Sequence, residues 1–240
     1  MSSTVLDKNT KIDDIGILFR NKTKGPEEKL VDWFLDEVKI QKPRGSFVTY
    51  FREPKILSGF PDVVVVVWNL RTAMKWASER SNLTEKDIRL LHHIVQDGPC
   101  SEDKLIELFS SEYKGSLNRL NSARMIRSVN KKWISCSLSN LFATSRIIAI
   151  EAKISNWSSG VNQASLNTWF ASESYVLLPH VPRGSKVVTK ASKRGVGVWT
   201  RKDGIVNPAS NDTSLLPRSF ASWQFNEWAW RAHKIGAEKA

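Results

Sequence analysis

Apolar residues recur at helical spacing near the start of the chain and then form two strand-like runs. The helical stripe consists of Leu30, Val31, Phe34 and Val38. It predicts a helix over residues 23–38. Residues 46–51 are rich in β-branched and aromatic side chains and predict a strand. Residues 63–68 form an uninterrupted apolar run, which is typical of a central strand covered on both faces.

The same kind of pattern resumes in the second half of the chain. Residues 146–154 predict a strand, residues 161–172 a helix and residues 175–178 a buried strand. Residues 195–200 predict a further strand, and residues 220–233 a terminal helix. Helices and strands are therefore mixed on both sides of the middle of the chain, and the expected fold class is α/β.

The stretch between these halves predicts a small unit of its own. Thr84 is a good N-cap for a helix that residues 97–99, Asp-Gly-Pro, bring to an end. A second helix is predicted from Ser101 and a third over residues 114–123. Residues 125–135 then predict a short hairpin.

Three helices followed by a hairpin resemble a winged helix-turn-helix, here over residues 83–137. We therefore expect a discontinuous core domain, residues 1–68 and 146–240, interrupted by this mainly helical domain. An insertion of this kind succeeds where the two chain ends lie close together, as they do at a turn on a sheet edge.

The overall charge indicates what kind of partner the chain binds. There are 36 lysine and arginine residues against 24 aspartate and glutamate residues, a formal charge of +12, which favours a polyanion. Apolar runs such as residues 63–68 are far shorter than the roughly 20 residues that span a membrane, and residues 1–10 are polar. We expect a soluble, cytoplasmic protein with no membrane partner.

The basic residues concentrate in two stretches, and the first suggests DNA. Residues 113–136 contain basic but no acidic side chains, and a recognition helix of this kind can enter the major groove. The candidate DNA contacts are Lys114, Ser116, Asn118, Arg119 and Asn121 on the helix, and Lys131 and Lys132 on the wing. The alternative is a winged helix that contacts protein. Residues 183–202 form the second stretch, either a phosphate contact or a solvated face.

Two acidic residues and a lysine stand at predicted strand positions far apart in the sequence. Asp62 follows Pro61, while Glu151 and Lys153 are two positions apart and project from one face of their strand. Carboxylates can hold Mg²⁺, which shields a phosphodiester and activates water, and a lysine can orient that water. The few cysteine and histidine residues form no ligand cluster, so oxygen must hold any metal. The alternative is a turn aspartate and an ordinary charged strand pair.

Two more groups can join these side chains. Ala152 can offer its backbone carbonyl to the metal. The helical projection places Glu27 in the middle of the apolar stripe and Glu28 at its edge. A carboxylate there is either a partner of the helix dipole or part of the same site.

Pro61-Asp62, Glu151-Ala152-Lys153 and Gln163 on the following helix resemble the motifs of the PD-(D/E)XK, or restriction-endonuclease-like, nucleases. The resemblance covers the chain outside residues 69–145 and includes the family's αβββαβ order. It implies a mixed central sheet flanked by helices and bound Mg²⁺, for which Mn²⁺ can substitute. Asp62 and Glu151 would bind the metal, and Lys153 would be the catalytic lysine.

The resemblance also assigns the outer groups of the site. Some branches use a glutamate of the first helix, which is Glu27 here or Glu28 in its place. Others place a glutamine on the following helix, as with Gln163, where it arranges the site or the substrate. The long insertion departs from the simplest family pattern.

Two functions follow from these observations. The first is a Mg²⁺-dependent DNA endonuclease, whose architecture resembles transposon end-cleaving subunits and restriction or anti-phage effectors. In the transposon subunits, however, the winged helix follows the nuclease domain. The second is a non-catalytic DNA-binding or assembly subunit that keeps the nuclease fold. Duplex cleavage requires two active sites or sequential nicking, so a homodimer or a partner protein is an expectation of the first function.

Overall fold

The computed structural model describes residues 4–10, 18–21, 24–57, 59–109, 113–211 and 216–238. In chain order the strands are β1 (Thr4–Leu6), β2 (Ser46–Arg52), β3 (Val63–Asn69), β4 (Cys100–Ser101), β5 (Ile126–Val129), β6 (Lys132–Ser135), β7 (Thr144–Ala152), β8 (Glu173–Leu178), β9 (Gly197–Thr200) and β10 (Gly204–Asn207). The helices are α1 (Pro26–Glu37), α2 (Leu70–Ala73), α3 (Glu85–Asp97), α4 (Glu102–Phe109), α5 (Tyr113–Ser122), α6 (Leu138–Leu141), α7 (Trp157–Leu166), α8 (Val187–Ser192) and α9 (Phe220–Glu238). Short 3-10 helices lie at Ser78–Asn82 and Asn167–Trp169.

Seven of the described strands form one mixed sheet in the order β1-β2-β3-β7-β8-β9-β10. The central strands β2, β3 and β7 are antiparallel, whereas β7, β8 and β9 run parallel. At the edges, β1 is parallel to β2 and β10 is antiparallel to β9. The predicted α/β class is therefore confirmed, with a mixed sheet that helices flank.

Different helices cover the two faces of the sheet, which explains the uninterrupted apolar run. Val63, Val65 and Val67 of β3 belong to a buried cluster with the apolar side of α1. Val64 and Val66 project the other way and pack in a second cluster with α9. All five valines are fully buried, because every position of a strand covered on both faces must be apolar.

A third apolar cluster holds α7 and α8 against the parallel strands β8 and β9. Val161 and Ala164 of α7 pack there with Val176 of β8 and Val187 of α8. The helix α7 begins at Trp157, earlier than the predicted residue 161, because the side chain of Asn156 caps it. This places the start of α7 directly after the end of β7.

The chain between β3 and β7, residues 70–143, will be called the inserted segment. It contains α2 to α6 and a small sheet of order β4-β6-β5. An apolar core unites its helices, with Ile88, Leu91, Leu105, Leu117 and Leu120 among the buried members. The predicted three helices and hairpin are thus present as elements.

Helix α9 joins the inserted segment to the sheet. Its first turns contribute Phe220 and Trp223 to the core of the inserted segment. Arg80 donates to both carboxylate oxygens of Glu227, at 3.0 and 2.5 Å, and both residues are buried. The carboxamide oxygen of Asn226 accepts from the N–H groups of Ala143 and Thr144 at 2.9 and 3.2 Å. The inserted segment therefore shares its packing with a helix from the far end of the chain.

Several elements differ from the sequence-based expectations. The predicted helix start at residue 23 lies outside the described residues, and α1 begins at Pro26. The strands β1 and β10 and the helix α8 were not predicted, because each is too short to show a period. Among the described residues no helix is both long and apolar enough to cross a membrane.

Candidate active site

Asp62 lies just before β3, at the turn that joins it to β2. Its carbonyl accepts from the backbone N–H of Glu53 at 3.0 Å, which continues the antiparallel pairing of the two strands. Its side chain is 16% exposed, and Oδ2 accepts from the backbone N–H of Ala152 at 2.8 Å. The Asp62 carboxylate is therefore fixed against the end of β7.

Glu151 stands near the end of β7 and is buried, with 6% of its surface exposed. Because Val63 pairs with Ile150, the register brings Glu151 opposite Asp62. Oε1 of Glu151 accepts from the carboxamide of Asn167 at 2.7 Å. This bond orients the carboxylate from the far end of α7.

The two carboxylates interact strongly with each other. Burial, and then the negative charge of Asp62, raise the pKa of Glu151 from 4.5 to about 8. Burial also raises the pKa of Asp62, although the hydrogen bond from the Ala152 N–H and the charge of Lys153 oppose that rise. At neutral pH the pair without a cation therefore keeps a proton. A divalent cation between them would relieve the same repulsion.

Lys153 lies directly after the end of β7, two residues beyond Glu151. Its Nζ lies 3.4 Å from Oε2 of Glu27, and its side chain is 15% exposed. A Cβ added at Gly160 would lie 2.7 Å from Cγ of Lys153 and 2.8 Å from Cγ2 of Val176. Glycine at this position of α7 thus leaves the space through which the lysine side chain passes.

The structure separates the roles of the two α1 glutamates. The expectation that Glu27 lies in the middle of the buried stripe is wrong, because its side chain is 49% exposed. It nevertheless contacts Lys153, whereas Glu28 lies 3.7 Å from the buried guanidinium of Arg52. Of the two, Glu27 is the one that reaches the site.

The carboxylate oxygens of the site could hold a metal that takes only one or two protein ligands, such as Mg²⁺. They are too few for a metal that needs three or more protein side chains. Among the described residues no group of three His, Cys, Asp or Glu side chains lies close enough to hold an ion. Asp62 and Glu151 make a pair instead, and Mg²⁺ is typically bound by one or two carboxylates together with waters and substrate phosphates. Ala152, expected to offer its carbonyl, contacts the pair through its N–H.

The amide on the following helix is a different residue from the predicted one. Gln163 is exposed on α7, and its expected part in arranging the site or the substrate stays a prediction. Asn167 lies four residues later and is buried against Glu151. Asn167 follows the last residue of α7, and the sequence does not distinguish it from the other polar residues of the predicted helix, residues 161–172.

An arginine–glutamate pair beside Asp62 was missed entirely. Nε of Arg20 donates to Oε2 of Glu53 at 2.8 Å, and Nη2 lies 3.9 Å from Oδ1 of Asp62. Glu53 is buried and adopts a left-handed backbone conformation with φ of 50°. In the sequence, Glu53 followed by Pro54 indicates only a turn.

A cleft of about 380 Å³ opens at this end of the sheet. Asp62, Glu53 and Arg20 line one part of it, and the first turn of α1 with Glu27 and Glu28 lines another. Of the two carboxylates Asp62 lines the cleft, and so does Glu27, the partner of Lys153.

The candidate DNA contacts of the inserted segment are mostly accessible. Lys114, Asn118, Asn121, Lys131 and Lys132 are exposed. The expected contact by Ser116 is wrong, because this side chain faces the core and is 4% exposed. Arg119 is committed to Asp87, to which Nε and Nη2 donate at 2.8 and 2.7 Å. Its guanidinium is thus a partner of α3 rather than a free probe for bases.

The second basic stretch, residues 183–202, lies partly along α7. Nζ of Lys190 in α8 lies 5.2 Å from the ring centre of Trp157, the first residue of α7. The guanidinium of Arg194 donates to the side-chain oxygen of Asn162. These two cations are therefore held against α7, the helix that begins four residues after Lys153.

These residues define a pair of carboxylates with a nearby lysine, placed at adjoining strand ends of a mixed sheet. No protein-family model, no curated protein and no solved structure matches the chain. The class of protein therefore has to be argued from the site itself.

Proposed function

We propose that the protein is a Mg²⁺-dependent DNA endonuclease with a restriction-endonuclease-like core. The observation that carries the proposal is the placement of two largely buried carboxylates, Asp62 and Glu151, opposite each other at adjoining strand ends, next to Lys153. An excess of negative charge at a buried position is costly unless a cation binds there. The order of α1, β2, β3, β7, α7 and β8 also agrees with the family that the sequence resembles.

Each side chain has a distinct task in this reaction. Asp62 and Glu151 hold the metal, and the N–H of Ala152 and the carboxamide of Asn167 fix these carboxylates in place. When bound, Mg²⁺ shields the phosphodiester and lowers the pKa of a coordinated water. Lys153, steadied by Glu27, orients the attacking water at the mouth of the cleft.

The inserted segment would deliver the DNA as a winged helix-turn-helix. In this proposal α5 is the recognition helix and β5–β6 the wing. Lys114, Asn118 and Asn121 can contact base edges or phosphates, and Lys131 and Lys132 the backbone. Their exposure on one helix and one hairpin supports this role, and the cations beside α7 would hold the same duplex near the cleft.

The experiment is cleavage of plasmid and branched DNA with Mg²⁺ or Mn²⁺. We compare the protein with Asp62→Asn, Lys153→Met and the control Asp36→Asn, which changes an exposed aspartate of α1. Activity should fall by at least about 100-fold in the first two variants and stay unchanged in the control. Cleavage that survives in both site variants would refute the assignment.

A second function is a non-catalytic DNA-binding or assembly subunit. One observation favours it: Arg20 already approaches Asp62 and pairs with Glu53, so part of the negative charge is neutralised without a metal. Calorimetry separates the two functions. Absent Mn²⁺ binding, together with unchanged DNA affinity in Glu151→Ala, would support the non-catalytic subunit.

A further inference from the structure

We propose that Arg20 is a phosphate-binding residue of this site and that, without substrate, it is a tethered counter-cation for Glu53 and Asp62. The inference rests on the proposed endonuclease function and adds a residue to it. Arg20 comes from a part of the chain remote from β3 and β7, and it carries neither of the motifs that suggested the metal site.

The backbone around Arg20 holds it in place independently of its side chain. The N–H of Arg20 donates to the carbonyl of Glu53 at 3.1 Å, and the N–H of Lys55 donates to the carbonyl of Leu18 at 2.8 Å. Residues 18–20 therefore run alongside the end of β2. A change confined to the Arg20 side chain leaves these bonds intact.

The side chain is anchored at one end and available at the other. Its Nε–H is given to Glu53 at 2.8 Å, while Nη2 lies 3.9 Å from Asp62, beyond normal hydrogen-bond length. The side chain is 43% exposed and lines the cleft. An arginine has five N–H donors in a planar fork, so four remain for a ligand in the cleft, and a phosphate accepts such a fork through two oxygens.

Glu53 has the geometry of a support for this arginine rather than of a third metal ligand. Its carboxylate is bound by Arg20, and its backbone is held at φ of 50° by its own N–H bond to the carbonyl of Asp62. A non-glycine residue in this region persists only where its surroundings impose it. The pair Arg20–Glu53 thus lines the cleft next to Asp62.

Two opposite effects of removing the Arg20 charge distinguish this role from a structural one. The guanidinium competes with a divalent cation for the field of Asp62 and Glu151, both of which interact with it. Its loss should therefore strengthen metal binding while it weakens the hold on the scissile phosphate. A residue that only braces the fold would weaken both together.

The test measures Mn²⁺ binding by calorimetry and single-turnover DNA cleavage on the full chain. The variants are Arg20→Gln and Arg20→Lys, with Arg44→Gln as a control at an exposed arginine of the loop before β2. In Arg20→Gln we expect the Mn²⁺ Kd to fall by about threefold to tenfold and the cleavage rate to fall by about 100-fold. In Arg20→Lys the Mn²⁺ Kd should stay close to that of the unchanged protein, because the positive charge is kept. The cleavage rate should still fall, because lysine lacks the bidentate fork that holds a phosphate.

The outcomes separate this inference from the proposed function. If the unchanged protein binds Mn²⁺ and cleaves DNA but Arg20→Gln matches it in both measurements, the role of Arg20 is overturned and the endonuclease stands. A Kd and a rate that both worsen in Arg20→Gln also overturn it, in favour of a brace. If the unchanged protein neither binds Mn²⁺ nor cleaves DNA, the proposed function and the role of Arg20 fail together.

Discussion

Replacing Glu151 by glutamine should make the metal-free protein more stable, although it removes a proposed metal ligand. The substitution keeps the side-chain length and an oxygen that can accept from Asn167, as Oε1 does at 2.7 Å. What it removes is the ionisation of a buried group. We expect the gain in the free energy of unfolding to depend on pH in a way that the structure sets.

The magnitude follows from the pKa of Glu151, which burial and then Asp62 raise from 4.5 to about 8. Between these values the folded state binds more protons than the unfolded state, so the stability of the unchanged protein falls as pH rises through that window. At pH 7 the unfolded state gains about 3 kcal/mol by ionising Glu151, and at pH 5 about 1 kcal/mol. A glutamine does not ionise, so Glu151→Gln avoids both losses.

Urea unfolding in the presence of EDTA, at pH 5 and at pH 7, measures this difference. Glu151→Gln should be more stable by about 1 kcal/mol at pH 5 and by about 3 kcal/mol at pH 7, and its Tm at pH 7 should rise by about 6 to 12 °C. Glu107→Gln, at an exposed glutamate of α4, is the control and should show no such trend. A difference in the free energy of unfolding that does not change with pH would refute the burial argument. A Glu151→Gln protein that is less stable than the unchanged protein at both pH 5 and pH 7 would also refute it.

The same samples with Mg²⁺ should reverse the ranking at pH 5 and close most of the difference at pH 7. A ligand that binds only the folded state stabilises it by about 2.7 kcal/mol at one hundred times its Kd. The unchanged protein should gain this amount, and Glu151→Gln should gain little. Equal gains in both proteins would mean that Glu151 is not a metal ligand.

Three further predictions concern other parts of the molecule. Gly160→Ala should lower the free energy of unfolding by about 1 to 3 kcal/mol, because its Cβ would overlap two side chains, and urea unfolding measures the loss. Arg80→Met should cost about 3 to 5 kcal/mol by leaving the buried Glu227 without its partner, and adding Glu227→Leu should recover most of that loss in the same assay. Replacing Lys131 and Lys132 by alanine should weaken the salt dependence of DNA binding. Fluorescence anisotropy titrations measure the slope of log K against log salt concentration, and its magnitude should fall by about 2.

Each of these three predictions has an outcome that would contradict it, and the first also has a matched control variant. Gly115→Ala is matched to the first change, because its Cβ would approach only the flexible end of Arg119, at 3.4 Å, and it should not destabilise. Equal stability of Gly160→Ala and Gly115→Ala would contradict the close approach. If the double variant Arg80→Met, Glu227→Leu loses as much free energy of unfolding as Arg80→Met alone, the cost does not come from an unpaired buried charge. An unchanged salt slope would remove the β5–β6 hairpin from the DNA contact.

The sequence predicted the central elements because their signals are local. The continuous valines of residues 63–67 required a strand covered on both faces, and α1 and α9 provide those covers. The pairing of Val63 with Ile150 then follows from strand register. By contrast, Arg20 and Asn167 reach the site through tertiary contacts, and nothing at those positions marks them in a single sequence.

Counting charges along the sequence also overstated one part of the proposed DNA-binding surface. Residues 113–136 contain no acidic side chain, which suggested that every cation of α5 faces a ligand. In the fold, however, Asp87 of α3 is fully buried and binds the guanidinium of Arg119. Burial would raise the pKa of Asp87, but hydrogen bonds from Arg119, Ser116 and Thr84 lower it. The exposed basic side chains of this stretch are therefore Lys114, Arg124, Arg127 and the hairpin lysines. Recognition by this surface depends on exposed charge, and only the packing of α3 against α5 shows which charge is already matched inside the protein.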